Sequence, residues 1–152
     1  MPIPPGNKFY EALAIRESRN NPTIVNEFGF MGLYQMGPAA LKDTGYMSSR
    51  GTWTGKNGIN SQADFLSSRS VQDVAIREYH VKLWSYIPSD VKAAVGRRIG
   101  GVDVTSSGLL AAAHLRGQDG VARFIRSGGR DDDRDEIGTP CSEYMRQFGG
   151  YD

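Results

Sequence analysis

A chain of 152 residues is long enough for one compact domain with one core, and 39% hydrophobic with 23% charged residues is ordinary for a globular protein. Eighteen basic residues against seventeen acidic ones leave a formal net charge of +1, which gives no support to nucleic-acid binding. The single cysteine, Cys141, excludes an internal disulfide, and one cysteine with two histidines speaks against a metal site.

The chain opens MPIPPGNKFYE, with no basic stretch leading into an apolar one, so no secretory signal is expected. No apolar run is long enough to span a bilayer. Synthesis in the cytoplasm is expected, with any work outside requiring non-classical export, injection or lysis. Pro2, Pro4 and Pro5 predict an extended arm over residues 1–6. A first helix is expected from Asn7 to about Asn20, stopped by Pro22, and a second over Pro38–Lys42 with proline in its first turn. Residues 45–60 (GYMSSRGTWTGKNGIN) read as loop. Ser61 is expected to cap a short helix through Leu66. Ser70 is expected to cap a longer one, because Val71, Val74, Ala75, Tyr79 and Leu83 recur at helical spacing. The alanine-rich LLAAAHL at 109–115 predicts a buried helix ended by Gly117. Another should start at Gln118 or Asp119 and close at Gly128-Gly129. RDDDRDE at 130–136 reads as a solvated loop, after which Thr139 and Pro140 fit the N-cap and first position of a last helix. The sum is a mainly α single domain over 7–152, with a small β-hairpin in the middle third.

On a helical wheel Phe9, Tyr10 and Leu13 form an apolar arc that includes Glu17, while Glu11 and Ser18 fall on the opposite side. Burial beside apolar groups disfavours a carboxylate, and a carboxyl kept protonated near neutral pH is what general-acid chemistry on a glycosidic oxygen requires. The alternative is a surface glutamate at a helix end, paired with Arg16 or Arg19.

ESRNNP at 17–22 and GLYQMGPAAL at 32–41 resemble the signature blocks of the soluble lytic transglycosylase and goose-type lysozyme superfamily. LLAAAHLRG at 109–117 is similar to a degenerate third block, and GTPCSEYMRQFGGYD at 138–152 resembles the tail of phage-associated and effector members. WTGKNGI, ADFL and VQDVAIREY also look typical of that branch, so the resemblance covers nearly the whole chain. It implies a lysozyme-like domain that cleaves the β-1,4 bond between N-acetylmuramic acid and N-acetylglucosamine in peptidoglycan, with no cofactor. Glu17 would be the general acid, then the base. It either activates water, as a muramidase, or takes a proton from the sugar's own hydroxymethyl group, as a lytic transglycosylase.

Ser18 is expected near the cleaved bond, or as an ordinary polar residue of the last helical turn. Gly32 would let the backbone approach the sugar. Gln35 offers an amide suited to sugar hydroxyls and N-acetyl groups. Tyr34, where the family often has Met, either stacks on sugar or packs. An inverting mechanism needs a second carboxylate about 6.5–9.5 Å from the acid. The goose-type pattern has acidic residues just before and just after the GLYQ block. Gly37 stands at the later position. Glu27 lies close to the earlier one and is the candidate that the resemblance implies, and Asp43 and Asp64 are weaker candidates. His114 stands where the family commonly has Tyr and is either a hydrogen-bond donor near the acid or a core residue. Tyr46 and Trp53 are either sugar platforms or loop anchors.

The expected partners are peptidoglycan glycan strands and a cognate immunity or inhibitor protein that occludes the cleft, with no nucleic acid and no membrane span. The expected setting is an antibacterial effector, a phage lysin or a tail module. The alternative is a non-catalytic lysozyme-like module that binds the cell wall or serves a structural role.

Overall fold

The computed structural model describes residues 3–132, 134 and 138–151. Among them the chain is mainly helical: α1 (Asn7–Ser18), α2 (Pro38–Asp43), α3 (Gln62–Leu66), α4 (Arg69–Tyr86), α5 (Ser89–Lys92), α6 (Ser106–Arg126) and α7 (Cys141–Gln147). A two-stranded antiparallel hairpin, β1 (Arg98–Ile99) and β2 (Val102–Asp103), lies between α5 and α6. A mainly α fold with a small β-hairpin is therefore present. The chain divides into two compact units, one of Tyr10–Tyr79 and one of Met1–Phe9 with His80–Asp152. Pro5, in the expected arm, is buried.

In the Tyr10–Tyr79 unit, α1 ends where Arg19 and Asn20 both take left-handed backbone, at φ 55° and 62°. Two such residues in succession cannot continue a right-handed helix. The guanidinium of Arg69 donates to Asn20 O at 2.7 Å and to Asn20 Oδ1 at 3.2 Å, which holds this exit. Residues 24–36 fold back through isolated bridges Val25↔Met31 and Met31↔Met36. Pro38 opens α2 as expected, since a missing N–H costs nothing in a first turn. Ser61 caps α3, its hydroxyl accepting from Asp64 N. The cap expected at Ser70 lies two residues earlier: Ser68 Oγ accepts from Val71 N at 3.3 Å, and Ser70 is inside α4. The buried stripe of α4 is Gln72, Ala75, Ile76, His80 and Leu83, whereas Val74 is 48% exposed. The apolar face was thus expected about one residue out of phase.

In the other unit, the hairpin pairs Arg98 with Asp103 and Ile99 with Val102, leaving Gly100-Gly101 as a two-residue turn. Both glycines have positive φ, 58° and 77°, as the tight turn that matches strand twist demands. A Cβ on Gly129 would lie 2.5 Å from Gly100 Cα, so two backbones meet there with no room for a side chain. Thr105 caps α6 by accepting from Gly108 N at 3.0 Å. Gly117 (φ 75°, ψ 168°) breaks α6 where an end was expected. The N-cap of α7 is Pro140, one residue after the expected Thr139. Gly108 lets α7 approach, because a Cβ there would meet Met145 O at 2.9 Å. Most of α6 from Ser107 to Ala113 is buried. The loop at 130–136 lies partly outside the described residues.

Candidate functional site

Glu17 occupies the penultimate position of α1 and is half-buried. Ser18, expected opposite the apolar arc, is only 3% exposed. Its hydroxyl donates to Leu33 O at 2.8 Å, also lies 3.0 Å from Ala14 O, and accepts from Asn21 N at 3.2 Å. A buried hydroxyl is stable when it is bonded in this way. It is therefore committed to holding backbone and not to a ligand. The bond to Leu33 joins the end of the Glu17 helix to the GLYQ segment.

Gly32 is buried and holds φ +80°. A Cβ there would stand 2.6 Å from Gln72 Oε1, so the glycine makes room for a protein amide and not for a sugar. Gln72 is 1% exposed, and its Oε1 accepts from Leu33 N at 2.7 Å. Tyr34 is also buried, at 4% exposure, and its hydroxyl donates to the Asp73 carboxylate. Tyr10 meets it edge-on, with centroids 5.9 Å apart, and the Arg77 guanidinium lies 4.2 Å from the Tyr10 ring centroid. Burial pushes the Tyr10 and Tyr34 phenols well above their ordinary range. Arg77 partly opposes this, and the Asp73 bond reinforces it at Tyr34. Of the two roles open to Tyr34, packing is the one its geometry fits.

Gln35 differs from its neighbours. It is half-buried and sits in left-handed backbone at φ 52°, an uncommon conformation for a residue with a side chain. Its Nε2 donates to Gly32 O at 3.0 Å and lies 3.3 Å from Ile24 O. Its Oε1 accepts from no described residue and is thus available to a ligand donor.

Glu27 is exposed, on a turn organised by Asn26, whose Oδ1 accepts from Phe28 N at 2.9 Å and Phe30 N at 3.0 Å. Phe28, beside it, is 47% exposed. Asp64 Oδ2 accepts from Asn60 N at 2.9 Å, a local role at the start of α3. Asp43 is half-buried beside the C-terminus of α2.

Tyr46 has no exposed surface, and its hydroxyl accepts from Asn57 Nδ2 at 2.8 Å. A ring with no free face cannot receive a sugar, so Tyr46 anchors the loop. Trp53 is half-buried, its ring 5.9 Å from Phe65 at a 33° tilt.

His114 belongs to the other unit, where its Nδ1 lies 3.0 Å from Nε2 of the buried His80. One ring must supply the N–H and the other the lone pair. A depression of about 560 Å³ in that unit is lined by Arg98, Val102, Thr105, Met145 and Arg146, and by none of the residues singled out above. Among the described residues no group of three or more His, Cys, Asp or Glu could hold a metal ion. No helix among them is long and apolar enough to cross a membrane.

Sequence reasoning missed Gln72 and Asn26. The available signal for Gln72 was an amide at helical spacing from Ala75, Ile76 and Leu83. Comparison of the chain with protein-family models, with curated proteins and with solved structures finds no match.

Proposed function

We propose that this chain cleaves peptidoglycan glycan strands at the β-1,4 bond between N-acetylmuramic acid and N-acetylglucosamine, with Glu17 as general acid and then base. The observation that carries this reading is the 2.8 Å bond from Ser18 to Leu33 O, which ties the Glu17 segment to the GLYQ segment. The two blocks whose resemblance suggests the chemistry are thus hydrogen-bonded to each other. Half-burial of Glu17 supports a carboxyl partly withdrawn from water, and the free Oε1 of Gln35 suits an N-acetyl N–H or a sugar hydroxyl. Glu27, on its exposed turn, is the candidate to hold a water if the reaction is hydrolysis. If Glu17 works alone, the product is the 1,6-anhydro sugar. The proposed setting is the periplasm or cell wall, reached as an effector or lysin, with an inhibitor protein covering Glu17 in the producing cell.

Mass spectrometry of fragments released from purified peptidoglycan, with Glu17→Gln as control, tests this. Reducing-end products that disappear in the variant identify a muramidase; anhydro products that disappear identify a lytic transglycosylase. No release by the wild-type protein refutes the enzymatic reading. A wall-binding module is the second reading, favoured by His114, which stands in the third block where Tyr is common and bonds His80. Retention on peptidoglycan without release would support it.

A further inference from the structure

The Leu33 backbone is held on both sides by buried side chains, one on each of its two peptide groups. Its C=O accepts from Ser18, next to Glu17, at 2.8 Å, and its N–H donates to Gln72 Oε1 at 2.7 Å. The Gln72 amide also donates through Nε2 to Phe65 O at 2.8 Å and Pro22 O at 3.1 Å. One carboxamide therefore joins three backbone segments: the stretch after the α1 exit, the GLYQ turn and the end of α3. An aliphatic residue would fill the same volume without the desolvation an amide requires, and Gly32 lacks a side chain where Gln72 Oε1 sits. The site is built around directional bonds. Two residues beyond Leu33, Gln35 holds its strained φ and presents its free Oε1.

We infer that Gln72 is a positioning residue for the Glu17 reaction: through Leu33 it fixes where the Gln35 acceptor stands relative to the end of α1. This rests on the glycan-cleavage reading. Misplacement of a positioned group by about 1 Å costs on the order of 100-fold in rate. A positioning role lowers kcat in the folded enzyme and a role in folding alone does not, so the two kinetic constants separate them.

The test is steady-state cleavage of soluble glycan strands by wild type, Gln72→Leu and Gln72→Glu, each well below its melting temperature. Expected for Gln72→Leu is a fall in kcat of about 10–100-fold with KM within about threefold of wild type. Gln72→Glu is isosteric. When protonated it keeps one acceptor and one O–H donor, so it should stay folded under acidic conditions and recover activity relative to wild type as pH falls. It keeps the experiment decisive if Gln72→Leu does not fold. Folded variants whose kcat stays within about twofold of wild type would overturn the positioning role while leaving the glycan reading intact. A wild-type protein that cleaves no glycan would overturn both.

Discussion

Replacing Gly32 with alanine probes the contact on which the GLYQ turn is built. The new Cβ would lie 2.6 Å from Gln72 Oε1 and 2.9 Å from Gln72 Cδ, at a backbone φ of +80°. Left-handed backbone costs an L-residue about 1–2 kcal/mol. Gln72 cannot swing aside without breaking bonds to Leu33 N, Phe65 O and Pro22 O, so overpacking adds about 1–3 kcal/mol. The two together give about 2–5 kcal/mol of destabilisation, or a fall in Tm of about 4–20 °C for a chain of this size. In a Gln72→Ala background the steric part has no partner, and Gly32→Ala should cost only the backbone part. Urea unfolding of the four proteins, followed by circular dichroism, yields a coupling of about 1–3 kcal/mol. A cost for Gly32→Ala below about 1 kcal/mol, or the same cost in both backgrounds, would mean that Gln72 does not occupy the space a Gly32 Cβ needs.

Ser18→Ala strips a buried donor from Leu33 O and should destabilise by about 1–3 kcal/mol in the same assay. Tyr10 and Tyr34 have folded pKa values raised by burial, so the folded state keeps protons that the unfolded chain releases near its ordinary 10.0. The stability this contributes is complete below pH 10 and declines as pH rises beyond it. Phenolate absorbance should show these two tyrosines ionising only on alkaline unfolding, and ionisation of all seven alongside a native far-ultraviolet spectrum would contradict it. Gly129→Ala drives a Cβ to 2.5 Å from Gly100 Cα, where backbone cannot yield, and should cost about 3 kcal/mol or more by thermal melting. Thr105→Ala removes the α6 cap and should cost about 1 kcal/mol by the same measurement.

Local chemistry made much of the fold legible. Pro38, Ser61 and Gly117 act through their own backbone or nearest neighbours, and each marks a boundary or break close to where it was expected. The hairpin closes on Gly100-Gly101, a pair that sequence analysis did not single out, and its strands hold only two residues each. The phase of α4 was not legible from hydrophobicity. Gln72 and His80 are polar residues on its buried side, while Val74 and Val81 are 48% and 50% exposed. Ser18 fails the wheel for the same reason. Its burial depends on Leu33, fifteen positions away, and a wheel records no bond across that separation. At the candidate site the sequence marked Glu17, Gly32 and Gln35, but not why the glycine is needed. That answer lies on Gln72, a residue of a different helix.

Phe9 meets His80, Phe148 and Tyr151 edge-on, with centroids 6.1, 5.7 and 5.9 Å away. The ribosome makes these rings far apart in time. Tyr10–Tyr79 is continuous and has all its residues once Tyr79 has emerged, whereas the unit containing Phe9 must wait for residues near 150. During synthesis Phe9 is therefore an apolar ring whose aromatic partners are made late. A chain cut before Phe148 would leave Phe9 with only one of these three rings, His80.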